Sequence, residues 1–153
     1  MHEVFLKRAI DLARQGKYLT KPNPMVGCVI VKDNEVIAEG YHMKFGSNHA
    51  EINALEDLNN NKNISKEELR QLTLYCTLEP CCHHGKTGPC TEAIIKSGIK
   101  KVVIGIKDPN PKVSGSGIKQ LQDSGIEVLS GFFEEELIEL NKHFFFKNTY
   151  NRP

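Results

Sequence analysis

Two short stretches of the chain hold residue types that bind and use a metal. One is His49-Ala50-Glu51. The other runs Glu79-Pro80-Cys81-Cys82-His83-His84-Gly85-Lys86-Thr87-Gly88-Pro89-Cys90. The imidazole of His49 and the thiolates of Cys81 and Cys90 make a three-ligand set for one Zn2+, and zinc held by three protein ligands keeps a fourth position for water. Glu51, two residues from His49, supplies a carboxylate that can move protons at that water. The set suits hydrolysis, and removal of ammonia from a nitrogen heterocycle uses this order of residues. Alternatives stay open at this level. Cys82 is a rival to Cys81, which is preferred because it follows Pro80. A fourth ligand from Cys82, His83 or His84 would instead close the site into a structural one.

A chain of 153 residues suits one domain with a real core. Hydrophobic residues at 39% and charged residues at 25% are ordinary for a globular protein. A formal net charge of +1 provides no field to draw in nucleic acid or an anionic membrane, so neither is expected as a partner. No apolar run approaches the ~20 residues of a membrane span. The start, Met1-His2-Glu3-Val4-Phe5, lacks the basic and apolar regions of a secretion signal, so a cytoplasmic location is expected. Five cysteines is an odd number, and in a reducing compartment clustered cysteines read as metal ligands. Cys28 and Cys76 fall inside apolar strand patterns and read as small core side chains.

These residues need elements that bring them together. Apolar spacing predicts a helix over 2–15, stopped by Gly16. Strands are expected over Met25 to Val31 and Glu35 to Tyr41, joined by a tight Asp33-Asn34 turn. A helix is expected from His49 through Leu58, then an Asn-rich loop at 59–63 and a capping box at Ser65-Lys66-Glu67-Glu68. A third strand, Leu72 to Thr77, leads into the cysteine segment. Pro89 and Gly98 bracket a helix. A strand over Lys101 to Ile106, a helix over Ser116 to Ser124, a strand over Ile126 to Leu129 and a last helix over 133–147 complete the chain. Strand–helix alternation after residue 72 argues for parallel strands with right-handed crossovers, and the opening hairpin adds an antiparallel edge. The expected fold is a three-layer α/β/α sandwich around a mixed five-stranded sheet.

In mid-helix His49 and Glu51 would diverge by about 200°. At a helix N-terminus both can reach one point, where free backbone N–H groups, including that of Ala50, also lie. Cys90 starts another helix, where thiolate is favoured. The metal is therefore expected between two helix N-termini. The loops after the third and fourth strands lie at the edge where open α/β sheets bind ligands. The Phe132, Phe133, Phe144, Phe145 and Phe146 cluster reads as core packing of the last helix, or as a patch for self-association or for a separate reductase.

His49-Ala50-Glu51, with Thr77-Leu78-Glu79-Pro80-Cys81 and a later cysteine, resembles the zinc-dependent cytidine-deaminase-like superfamily. The eight-residue gap between Cys81 and Cys90 is the longer form found in the deaminase domain of bifunctional riboflavin-biosynthesis enzymes. That domain is also resembled by Pro22-Asn23-Pro24-Met25-Val26-Gly27, Gly40-Tyr41-His42, and Asp108-Pro109-Asn110-Pro111-Lys112-Val113 followed by Gly115 and Gly117. Two departures stand out: serine is usual at the Cys82 position, and the family usually continues past Arg152-Pro153 into a reductase domain.

The resemblance implies one zinc-dependent deaminase domain over 1–153 and a homo-oligomer, with the reductase elsewhere on a longer chain or on a separate one. It implies the substrate 2,5-diamino-6-ribosylamino-4(3H)-pyrimidinone 5′-phosphate, a pyrimidine ribotide, and Glu51 as proton shuttle. Lys86 is the expected phosphate contact, with His42 or His83 helping. Asn23 suits a pyrimidine edge. Asp108 and Asn110 suit ribose hydroxyls, though both types also favour turns. The rivals are a deaminase of tRNA adenosine or of free nucleobases and nucleosides, and a non-catalytic module stabilised by zinc.

Overall fold

Five strands form one sheet in the order β2-β1-β3-β4-β5. They are β1 (Gly27–Lys32), β2 (Glu35–Tyr41), β3 (Thr73–Leu78), β4 (Lys101–Ile106) and β5 (Glu127–Ser130). β1 runs antiparallel to both β2 and β3, while β3, β4 and β5 are parallel. This is the mixed sheet expected from the sequence. The structure is a computed structural model that describes residues 1–17, 19–21, 23–61, 63–82, 89–111 and 113–150.

The hairpin turn carries positive φ at both central residues, 49° at Asp33 and 63° at Asn34. A two-residue turn of this hand matches the strand twist, and Asp and Asn tolerate it best after glycine. β2 is the sheet edge and is bulged: Ile30 faces Ala38 but Val31 faces Val36, leaving Ile37 as the extra residue. A bulge blunts an edge that could otherwise pair with another chain.

Side-chain alternation along the strands builds two cores. Cys28, Ile30, Leu74, Cys76, Val102 and Ile104 point to one face. There they meet α2 (Ala50–Asn61), α4 (Cys90–Ser97) and α5 (Ser116–Asp123) through Ala54, Leu58, Ile94 and Leu121. Val29, Val31, Tyr75 and Val103 point the other way, onto Phe5, Leu6, Ala9 and Leu12 of α1 (His2–Arg14). On that same side Ile10 joins Leu78, Ile106, Leu137 and Phe145, which brings in α6 (Glu134–Leu140) and α7 (Lys142–Tyr150). A short α3 (Lys66–Leu69) carries the capping box at Ser65 and Glu68. Among the described residues no helix is long and apolar enough to cross a membrane.

Several expectations need correction. The last helix is two helices, broken at Asn141. Its amide oxygen accepts from the Met25 N–H at 2.7 Å, and its amide nitrogen donates to the Met25 carbonyl at 2.8 Å. The break (φ −115°, ψ 43° at Asn141) thus falls at the residue whose side chain holds both backbone groups of Met25. The Asn-rich loop starts later than expected, because α2 continues through Asn61. β3 and β5 are each displaced by one residue toward the C-terminus, and β1 starts two residues later than expected. Of the five C-terminal phenylalanines, Phe145 is buried, Phe132, Phe133 and Phe144 pack against the cores, and Phe146 is 64% exposed.

α1 lies directly on β1 because residue 27 has no side chain. A Cβ there would run into the Ala9 carbonyl and come within 2.9 Å of the Ala13 nitrogen. Gly27→Ala should lower the unfolding free energy by about 1–3 kcal/mol or more, since the obstruction is backbone. Urea unfolding checks this; an unchanged midpoint would mean that α1 does not pack so closely.

Candidate active site

The carboxyl end of β3 faces the starts of α2 and α4. His49 immediately precedes α2 and its carbonyl accepts the first helical bond, from the Asn53 N–H at 3.1 Å. Cys90 is the first residue of α4, after Pro89 in extended conformation (φ −76°, ψ 132°). Cys81 lies three residues beyond β3. The ligand atoms of His49, Cys81 and Cys90 all fall within 4.8 Å of one another. The His49 Nδ1 is 3.3 Å from the Cys90 Sγ and 3.8 Å from the Cys81 Sγ. A tetrahedral zinc spans N to S at about 3.5 Å and S to S at about 3.8 Å, so the donor set fits this ion in type and spacing.

The local fold prepares the thiolates. The Cys90 N–H, one of the free donors at the start of α4, points to the Cys81 Sγ at 3.3 Å. The Cys81 thiol is pushed down to about 4, first by its hydrogen bond with the Cys90 thiol and then by His49 and that N–H. Cys90 is pushed up by the same shared bond and by burial. Contact with Cys81 raises His49. Two sulfurs and an imidazole thus hold their remaining protons between them, where a cation would replace those protons.

Glu51 is only 4% exposed, and burial pushes its carboxyl up to about 6. Desolvation disfavours the anion, and a carboxyl with this value can both take and give a proton near neutral pH. Glu51 lines a cleft of about 150 Å³ with Asn23, His42, His49, Cys81 and Asp108. Val26, Leu78 and Phe144 give the cleft apolar walls.

His42 is 2% exposed and both of its ring nitrogens are engaged. Nδ1 lies 3.1 Å from the Asn48 carbonyl, which can only accept, so Nδ1 carries the proton. Nε2 lies 3.2 Å from the Asn23 amide nitrogen and serves as its acceptor. Burial lowers the His42 pKa, consistent with a neutral ring. Its plane stands at 89° to that of His49, with centroids 5.4 Å apart. His42 therefore holds the Asn23 side chain and the backbone just ahead of His49.

The other expected residues divide. Asp108 reaches the cleft wall. Asn110 does not line the cleft: its N–H donates to the Asp108 Oδ1 at 2.8 Å, and its carbonyl takes the Val113 and Ser114 N–H groups. The Ala50 side chain is buried in the core beneath α2, while its N–H, the group expected to serve the site, belongs to the first residue of that helix. Cys82 is half-buried and is not part of the ligand cluster. His83, His84 and Lys86 lie outside the described residues.

Glu79, Asn141 and Phe144 were not foreseen as site residues. Glu79 stands two residues before Cys81 at the end of an apolar strand, where a carboxylate must find donors. That was the signal available. Asn141 gave none, because its partner Met25 is 116 residues away, and Phe144 gave none, because its place on the cleft wall depends on tertiary packing.

Comparison with known proteins agrees with this geometry. Residues 1–106 match the family described as cytidine and deoxycytidylate deaminase zinc-binding region. The chain is 52% identical over 149 residues to the riboflavin biosynthesis protein RibD of Actinobacillus pleuropneumoniae, covering 97% of this chain and 38% of that one. It is 50% identical over 141 residues to the diaminohydroxyphosphoribosylamino-pyrimidine deaminase of Buchnera aphidicola subsp. Schizaphis graminum, covering 92% and 91% respectively. A crystal structure from Thermotoga maritima, of a diaminohydroxyphosphoribosylaminopyrimidine deaminase/5-amino-6-(5-phosphoribosylamino)uracil reductase, superposes with a TM-score of 0.88 at 52% identity. That match covers 99% of this chain and 42% of the other. Fold and site thus define a zinc-binding deaminase domain. The chain belongs to the cytidine and deoxycytidylate deaminase zinc-binding family, and within it resembles the riboflavin-biosynthesis branch. It spans about two fifths of the RibD proteins that it matches and nine tenths of the Buchnera deaminase.

Purified protein should carry about one zinc per chain, by the three-ligand chemistry. Cys90→Ala should reduce this to a small fraction. Elemental analysis after gel filtration checks both, and full zinc occupancy in Cys90→Ala would remove Cys90 from the ligand set.

Proposed function

We propose that this chain removes ammonia hydrolytically from 2,5-diamino-6-ribosylamino-4(3H)-pyrimidinone 5′-phosphate, leaving 5-amino-6-(5-phosphoribosylamino)uracil. The observation that carries this reading is the buried Glu51 lining one cleft of about 150 Å³ together with His49 and Cys81 of the His49–Cys81–Cys90 cluster. The 50% identity to a Buchnera deaminase over nearly its whole length supports the choice of substrate. We read residues 1–153 as one deaminase domain acting in the cytoplasm.

Zinc held by His49, Cys81 and Cys90 would supply a Lewis acid that brings the pKa of water toward ~7. Glu51 takes one proton from the attacking water and delivers it to the departing nitrogen. Oxygen from water replaces the amine on the ring carbon, and ammonia leaves. Burial keeps the Glu51 proton affinity within reach of both steps. Asn23 presents its amide to the pyrimidine edge, oriented by neutral His42. Asp108 accepts from a ribose hydroxyl, and Asn110 shapes its turn. Lys86 and His83, which fall between Cys81 and Cys90 in the sequence, take the phosphate. This assigns His42 to orienting Asn23 rather than to neutralising phosphate, because both of its ring nitrogens are already used.

The product passes to a reductase, either elsewhere on a longer chain or on a separate polypeptide. Exposed Ile138 and Phe146 on α6 and α7 offer apolar surface for that partner or for a second copy.

Glu51→Gln should retain zinc and lose turnover on the order of 10²–10⁴-fold. Ammonia release from the ribotide checks this, with cytidine and a tRNA anticodon hairpin as comparators. Near-normal turnover in Glu51→Gln, or faster release from either comparator in the parent protein, would contradict the reading.

A further inference from the structure

We infer that Glu79 is a positioning residue that holds the ribose-binding loop at a fixed place relative to the metal ligands. The inference rests on the reading of Asp108 as a ribose contact. The Glu79 carboxylate is 6% exposed and, among the described residues, forms no ion pair. Its described partners are backbone N–H groups from one segment. Oε1 accepts from Asp108 at 2.9 Å and from Gly115 at 3.0 Å, while Oε2 accepts from Ile118 at 3.1 Å. The Glu79 N–H in turn donates to the Ile106 carbonyl at 2.9 Å. One residue thus ties the end of β3 to the end of β4, to the loop after it and to the start of α5.

The need for a carboxylate follows from α5. Its N-cap, Gly115, has φ +86° and no side chain to cap the helix. The free N–H groups of that helix start must find an acceptor elsewhere, and a negative charge suits the positive end of the helix. Glu79 serves this need from another element. Gly117 completes the seat: a Cβ there would strike the Pro80 carbonyl and lie 3.3 Å from the Glu79 Oε2. The start of α5, which closes that loop, therefore rests on the Pro80 carbonyl, one residue before Cys81. Movement of that seat shifts Asp108 against the metal cluster and leaves the cluster itself intact.

Glu79→Gln tests this because an amide cannot accept at both positions. With its oxygen toward Asp108 and Gly115, its NH2 group must face the Ile118 N–H. Ribotide affinity is measured by calorimetry with and without Glu79→Gln in chains that also carry Glu51→Gln, so that no turnover interferes. KM and kcat are measured in the otherwise unaltered chain. The expected result is weaker ribotide binding and a higher KM, each on the order of tenfold for a charged hydrogen bond lost. kcat should change far less and zinc content should not change. Binding of the free diaminopyrimidine base, which lacks ribose, should be unaffected. Gly117→Ala, which disturbs the same seat from the opposite side, should raise KM in the same way if Glu79→Gln fails to fold. Loss of zinc, a fall in kcat at constant KM, or equal weakening of the free base would overturn the inference. Amide exchange separates this inference from the functional reading. If the unaltered chain fails to bind the ribotide, the functional reading fails. The clamp is then judged by exchange at Asp108, Gly115 and Ile118, and unchanged rates at all three in Glu79→Gln overturn it.

Discussion

Two helix starts aimed at one point are the constraint on which the rest of the structure depends. Each helix N-terminus has unsatisfied N–H groups and a positive partial charge. Here the start of α2 carries His49 and Glu51, and the start of α4 carries Cys90. Sulfur is held as thiolate most readily in such surroundings, and the Cys90 N–H donated to Cys81 is the direct expression of this. A divalent cation adds to an arrangement that already favours anionic ligands. The same crowding buries Glu51 and raises its proton affinity.

Close approach of elements keeps those helix starts in register. Gly40 lets α2 lie on β2, since a Cβ there would come within 2.5 Å of the Ala54 nitrogen. Gly27 does the same for α1 on β1. Polar clamps then fix the loops that complete the cleft. Asn141 grips both backbone groups of Met25, which fixes the loop after Asn23. His42 couples Asn23 to the backbone before His49. Glu79 gathers three N–H groups from the loop after β4. Asn141 and Glu79 bond to backbone groups, and His42 bonds to one backbone carbonyl and one side-chain amide; a buried polar group of this kind costs stability sharply when one partner is removed.

The grouping of His49, Cys81 and Cys90 was legible in the sequence because these residue types are chemically distinctive and fall at the ends of patterned elements. His49, Cys81 and Cys90 converge as their positions before α2, after β3 and at α4 implied. The sheet was equally legible, since strand periodicity and the Asp33-Asn34 turn are local signals. The clamps were not. Asn141 looks like an ordinary helix residue until Met25 is beside it, and so the break between α6 and α7 went unseen. His42 looked like a cation for phosphate because its burial and its two partners depend on tertiary packing. The motif alone gives Glu79 no role, because its donors come from residues 108–118.

The central claim is one nitrogen and two sulfurs from the protein, with a further position left to solvent. X-ray absorption at the zinc edge of the purified protein tests it most directly. The account predicts two sulfurs at about 2.3 Å and two lighter atoms at about 2.0–2.2 Å, with outer-shell scattering from a single imidazole. Three sulfurs, which would bring in Cys82, or scattering from two imidazoles, would contradict it.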